Sequence, residues 1–217
     1  MGADLRTADL LRLAQWLSPA FPVSGYAYSH GLETAMAAGR VRDADTSQAW
    51  IEAVLRHGAG ALDAWAIRAV LRGDPARDVA DVLCARAGSA ERWAETTEMG
   101  TAFAAGVAAS EGGPAPDGVP IPLPIPLPVA LARAAHGIPA GPVCALYLQA
   151  FAAQLVSAAV RFVPLGQGTG QAVVARLRSA VDEVAAQDAA EPPGTGALAA
   201  ELDAMAHETL QPRIFRT

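Results

Sequence analysis

Between residues 142 and 162 the chain reads PVCALYLQAFAAQLVSAAVRF, broken only by Gln149, Gln154 and Ser157 before it reaches Arg161. A helix that is apolar on nearly every face has to be buried on most sides. At 1.5 Å per residue it runs about 30 Å, long enough to be the central post of a bundle. Its polar interruptions argue for a buried core helix over a membrane span. Alanine supplies much of the remaining hydrophobic content, and small side chains let helices approach closely. The β-branched residues are too scattered to alternate along several strands. The expectation is therefore all-α: one helical bundle of about eight to ten helices over residues 1–217, with ample length for a core.

Local punctuation supplies the other helices. Asp4 can cap a helix over roughly 5–17, with Leu10, Leu13, Ala14 and Leu17 on one face. Gly31 opens a short helix that Gly39 can close. Asp45 and Gln48 have capping-box spacing ahead of Trp50, Val54 and Leu55, with a break at Gly58 or Gly60 before Leu62, Trp65 and Val70. Asp74 and Pro75 predict a helix to about Arg86. Ser89 caps a longer one to about Ala109, whose Arg92, Glu95, Thr96 and Glu98 form a solvated or partner-facing flank. In residues 111–128 proline recurs at every second position from Pro120 onward, which precludes helix and predicts an extended, polyproline-like connector. Past Pro164, GQGTG at 166–170 reads as a helix-to-helix turn, leading to a helix with Val173, Val174, Leu177 and Val181 inward. The last helix carries its apolar stripe on Leu198, Leu202, Met205 and Ala206.

Charge and reactive groups narrow the function. The net charge is −6, all 16 basic residues are arginine, and lysine is absent. No basic stripe points to nucleic acid or an anionic membrane, and a lysine-dependent phosphate loop at 166–170 is excluded. No signal-peptide pattern opens the sequence, so the expected location is cytoplasmic. Cys84 and Cys144 read as buried small hydrophobes. None of the histidines, His30, His57, His136 and His207, has a second ligand at metal spacing on one helix face. No nucleophile elbow appears, and neither cysteine has a neighbouring base. Glu91, Glu95 and Glu98 read as the wet face of their helix. No catalytic, cofactor or metal site is expected, and the chain reads as a scaffold. The rival from another class is an all-helical small-molecule-binding regulator or enzyme, with a pocket among Trp50, Trp65 and Trp93.

Two stretches depart from the alanine-rich background. At 19–33 the sequence PAFPVSGYAYSHGLE combines two prolines, which bar the preceding helix from continuing, with Tyr26 and Tyr28. It serves either as an elbow plugging the core with rings or as an interface, where tyrosine is favoured. At the other end Pro212, Arg213, Ile214, Phe215 and Arg216 join two guanidinium groups to two large apolar side chains. Arginine and aromatic residues dominate interface energies. The alternative is that Ile214 and Phe215 pin the terminus to the bundle.

The 19–33 stretch, the run at 147–161 continuing into VPLGQG at 163–168, and HETLQPRIFRT at 207–217 together resemble, in that order, the UreF family of urease accessory proteins. The resemblance implies an all-helical and typically dimeric factor. It joins UreD (UreH in some systems), recruits the GTPase UreG, and assists nickel insertion into the urease apoprotein. It also implies a bearing on GTP hydrolysis by UreG. The tail 208–217 would order against UreD. Arg213 corresponds to the family's recruiting arginine, and Tyr26, with Tyr28 as the fallback, to a tyrosine beside it. The implied partner-binding set is Tyr26, Tyr28, His30, Glu33, His207, Arg213, Ile214, Phe215 and Arg216. The sequence departs from the family at Ser24, where glycine is common, at Thr217, where serine is common, and in its proline-rich connector.

Overall fold

The computed structural model describes residues 5–112 and 124–217. Among them are eleven α-helices, a short 3-10 turn at Gly25–Ala27 and no strand, so the all-α class is borne out. The helices are α1 (Thr7–Trp16), α2 (Leu32–Ala37), α3 (Ala44–His57), α4 (Ala59–Arg72), α5 (Ala76–Arg86) and α6 (Ala90–Glu111), followed by α7 (Leu127–Ala134), α8 (Ala140–Phe162), α9 (Gly166–Arg176), α10 (Arg178–Ala186) and α11 (Leu198–His207). Most of the proline-rich connector, 113–123, lies outside the described residues. Pro126 has the expected polyproline-like backbone at φ −62° and ψ 142°, while the connector's edges are helical: Glu111 still belongs to α6, and Pro128 sits in the first turn of α7. Proline is tolerated there because the first helical N–H groups have no intrahelical acceptor to serve.

Helix α8 is the post that its composition requires. It touches α1, α2, α3, α4, α9 and α10, and Val143, Leu148, Ala152, Leu155 and Ala159 are fully buried along it. Glycine sets two of the closest approaches between helices. A Cβ on Gly100 of α6 would lie 2.0 Å from the carbonyl oxygen of Ile125, just ahead of α7. A Cβ on Gly170 of α9 would lie 2.6 Å from Val160 Cγ2 on α8. The GQGTG run is therefore the opening of α9, packed on α8, and not a turn between helices. Only Gly166 within it has the left-handed backbone, at φ 68°.

Several boundaries shift for identifiable reasons. The cap of α3 is Asp43, two residues before the expected Asp45. Asp43 Oδ1 accepts from the Thr46 amide at 2.8 Å while Thr46 Oγ1 accepts from the Asp43 amide at 3.1 Å, closing a capping box. Asp45 sits in the first turn, where its charge suits the helix dipole. Helix α1 follows Arg6, whose guanidinium grips Asp9 at 2.7 and 2.8 Å; Asp4 lies outside the described residues. Pro75 is the residue before α5 rather than its first. Gly58 divides α3 from α4, and Ser89 Oγ caps α6 at 3.1 Å from the Arg92 amide, both as expected. The single helix expected after 166 is two, parted at Leu177.

The largest reversal is in α11. Leu198, Leu202 and Met205 are exposed, and the buried face is Ala200, Asp203, Ala204 and His207. Small and polar residues face inward because α2 arrives at backbone distance: a Cβ on Gly31 would meet the Ala204 nitrogen at 2.7 Å. Asp203 is paired with Arg40 across that contact. Cys84 is also exposed, contrary to expectation, while Cys144 is buried.

Candidate functional site

The elbow at 19–33 is held by contacts that its composition foreshadowed. Phe21 lies on α6, its ring 5.4 Å from that of Phe103 and close against Gly106. Ser24 and His30 both adopt left-handed backbone, φ 58° and 61°, and Gly31 follows at 83°. Non-glycine residues reach that region only at a steric cost, so the Ser24 departure falls where the backbone most favours glycine. The strand-like exit from the elbow then pairs with the tail. The Ser29 amide donates to the Thr217 main-chain oxygen at 2.8 Å, and the Arg216 amide donates to the Ala27 carbonyl at 2.8 Å. Residues nearly two hundred positions apart thus form one junction, tying α2, α6, α8 and α11 together.

Carboxylates organise this junction. Glu33 Oε1 accepts from the Ile214 amide at 2.8 Å, and its Oε2 accepts from the Phe215 amide at 2.9 Å and faces His207 Nε2 at 3.0 Å. His207 Nδ1 lies 2.7 Å from Glu91 Oε2, and the other Glu91 oxygen pairs with Arg213. Glu95 accepts from Thr217 Oγ1 at 2.7 Å and pairs with Arg92. Glu98 accepts from Tyr28 Oη at 2.7 Å and from Arg216 at 3.0 Å. Glu91, Glu95 and Glu98 are therefore a row of acceptors that grips the tail, not the wet face expected of them. The apolar anchor is Phe215, 4% exposed, edge-on to Phe162 at 5.2 Å and clustered with Leu32, Val41 and Val163.

The protonation states follow from these neighbours. Burial alone would raise the Glu95 carboxyl, but the Arg92 guanidinium, His30 and the Thr217 hydroxyl overcome it and hold the group down at about 2. His30 is pushed down to about 4, by burial first and Arg92 second. Its Nδ1 stands 3.6 Å from Glu95, an electrostatic neighbour beyond hydrogen-bond length. Burial and the Glu98 acceptor push the Tyr28 hydroxyl well up, so it stays a donor.

All nine residues of the expected partner-binding set lie at this junction, but they divide. Tyr26 and Ile214 are 68% and 70% exposed, and Arg213 and Arg216 present exposed guanidinium groups. Tyr28, His30, Glu33, His207 and Phe215 are buried beneath them. Sequence reasoning missed Glu91, Glu95, Arg161 and Ser29. Arg161 donates to the Tyr26 carbonyl at 2.9 Å and lies 5.7 Å from the Phe215 ring. The available signals are the glutamates at 91, 95 and 98 along one helix and the places of Ser29 and Arg161 within the family-like stretches 19–33 and 147–161.

Beside the junction a cleft of about 380 Å³ opens between α1, the elbow, α6 and α8. Trp16, Met99 and Phe151 wall it, and Asp63, Glu95 and Tyr147 contribute polar groups. Burial raises the Asp63 carboxyl to about 6, opposed by the Tyr147 hydroxyl that donates to it at 2.6 Å. The tryptophans expected to line a pocket do not line this one. Trp65 is buried in the core with Nε1 donating to the Ala190 carbonyl at 3.3 Å, and Trp50 and Trp93 pack against the core's edge. Among the described residues no three or more His, Cys, Asp or Glu side chains are grouped to hold a metal ion.

Fold and site together define an all-α protein in which helices fix an ordered surface made from the elbow at 19–33 and the tail at 208–217. Comparison with known proteins makes the class specific. The UreF family model matches residues 41–178. Urease accessory protein UreF of Cereibacter sphaeroides strain KD131 is 52% identical over 216 residues, covering 97% of this chain and 100% of that protein. The Jannaschia sp. strain CCS1 protein of the same name is 50% identical (98% and 96% covered), and that of Paracoccus denitrificans 48% (97% and 97%). The chain belongs to the UreF family of urease accessory proteins, and its role is accessory to urease maturation.

Proposed function

We propose that this chain is a non-catalytic scaffold of urease maturation. Its elbow-and-tail junction binds UreD (UreH in some systems) and recruits the GTPase UreG, so that nickel reaches the urease apoprotein. The working form is a cytoplasmic homodimer within that complex. One observation carries the reading: Tyr26, Arg213, Ile214 and Arg216 project outward from a backbone fastened to the buried Glu33 and to Ala27. Preorganised arginine and aromatic groups retain most of their contact energy, because little ordering remains to be done on binding. The scaffold supplies geometry and binding free energy. It acts on GTP hydrolysis only through contacts that differ between nucleotide states of the GTPase.

Co-expression with UreD and UreG, followed by sizing of the complex, tests the proposal. Arg213→Ala should leave the fold intact, since the side chain is half exposed, and should reduce UreG capture at least about tenfold, the loss expected of an interface hot spot. Capture at the wild-type level would reject the assignment.

A further inference from the structure

Five of the nine junction residues are buried in the chain by itself, which raises the question of what they hold in place. His207 is fully buried at the end of α11, with each ring nitrogen at a carboxylate oxygen: Nε2 at 3.0 Å from Glu33 and Nδ1 at 2.7 Å from Glu91. A neutral imidazole has one N–H, and only the imidazolium can donate to both acceptors. The ring bridges α2 and α6 from α11, and the two carboxylates that it aligns hold three consecutive tail residues. Glu91 takes the Arg213 guanidinium, and Glu33 takes the main-chain N–H groups of Ile214 and Phe215. That grip sets the alternation of the tail, with Ile214 outward at 70% exposure and Phe215 inward at 4%.

We infer that His207 is a positioning residue: bridging Glu33 and Glu91, it locks the tail in the register that presents Arg213 and Ile214 to a protein partner, while touching no partner itself. This rests on the reading above that the tail contacts UreG and UreD. Without the ring, Glu33 and Glu91 lose the group that stands between them and meets an oxygen of each. Like charges so placed repel, and a misaligned Glu33 no longer accepts from two successive amides. The effect is local. His207 is the last residue of α11, and its ring nitrogens meet the two carboxylates that hold the tail, so the bundle should survive while the tail loses its register.

Hydrogen exchange at the Ile214 and Phe215 amides of the full chain, with capture of UreG in the presence of UreD, tests this directly. In His207→Ala both amides should exchange at least about tenfold faster while amides within α3 and α8 keep their protection, and capture should fall about tenfold. Unchanged exchange at 214 and 215 in a variant that melts near the wild-type temperature overturns the inference. Faster exchange with undiminished capture overturns it equally, because tail register would then not matter to recruitment. Protection lost throughout the bundle would mark a merely structural role. Should His207→Ala fail to fold, Glu33→Gln keeps the side-chain volume but offers one acceptor oxygen for two amides, and it is judged by the same outcomes. Arg213→Ala separates the underlying reading. It should leave the two amides protected within about twofold, since Glu33 still holds them, yet lose capture; retained capture sinks the functional proposal and leaves the exchange result standing.

Discussion

Helix α8 and the tail at 208–217 meet where Phe162 packs on Phe215, yet opposite kinds of chemistry hold them. The post is fixed by apolar volume pressed against its neighbours from several sides. That force is non-directional and scales with buried area. The tail is fixed by hydrogen bonds from single N–H, hydroxyl and guanidinium groups to buried or half-buried carboxylates. Such bonds contribute modest net stability but are strict about geometry. The post therefore sets whether the chain folds, and the junction sets what the folded chain presents.

The largest expected effect is in the post. Leu155→Ala should destabilise the whole protein by about 2–5 kcal/mol, the usual cost of truncating a core leucine, measured by denaturant unfolding. A change below about 1 kcal/mol, within the range of ordinary surface substitutions, would mean that α8 is not the energetic centre.

Acid separates the two regions next. His30, held down to about 4, contributes stability that is complete above the ordinary histidine value near 6.5 and is lost as pH falls toward 4. Asp63, raised to about 6, runs the other way: its buried charge is a penalty above pH 6, relieved as pH falls toward the ordinary carboxylate value near 3.9. The two offset each other between about pH 6.5 and 4. Glu95, held to about 2, then loses its contribution as pH falls from about 4.5 to 2. Unfolding free energy should be nearly flat from pH 6.5 to 4 and drop below. Asp63→Asn should raise stability at pH 7 by about 1–3 kcal/mol, taking roughly 1.4 kcal/mol per pKa unit as the upper scale. The variant should then decline through the window where the parent is flat. Parallel pH curves for the two proteins would break this account of the buried charges.

Phe215→Ala should move global stability by less than about 1 kcal/mol, because the tail can open as a local unit, while freeing the 214 and 215 amides to exchange. A loss of 3 kcal/mol or more, as for an aromatic residue in the central core, would make the tail part of the cooperative fold.

The same contrast explains what the sequence disclosed. Helix α8 was legible because apolar residues on every face admit one solution, and Gly58 and Ser89 because cap and break chemistry is local. The face of α11 was misread. Leu198, Leu202 and Met205 form an apolar stripe by spacing, but the approach of Gly31 to Ala204 and the pairs at Asp203 and His207 decide which side is covered. Those are long-range facts with no local period. The nine junction residues were picked out by resemblance to a family. Their split into buried clamps and exposed contacts was not legible, because it depends on which carboxylate of α6 meets which tail residue.

The smallest expected effect is at the rim of the junction. Arg216 reaches Glu98 at 2.6 Å and the Tyr28 hydroxyl at 3.0 Å, but its side chain is more than half exposed. Solvent-screened ion pairs contribute about 0–1 kcal/mol, so Arg216→Ala should leave the melting temperature nearly unchanged. Its main-chain N–H still donates to the Ala27 carbonyl, so the tail should keep its place and Phe215 its burial. What the variant should lose is salt sensitivity. Rim charges act mainly on association rate and its ionic-strength dependence, so capture of a partner by Arg216→Ala should weaken less as salt is raised than capture by the parent. If Arg216→Ala instead frees the 214 and 215 amides, the exposed pair holds the tail as firmly as the buried carboxylates do. The division between clamp and contact surface would then have to be redrawn with Arg216 on the clamp side.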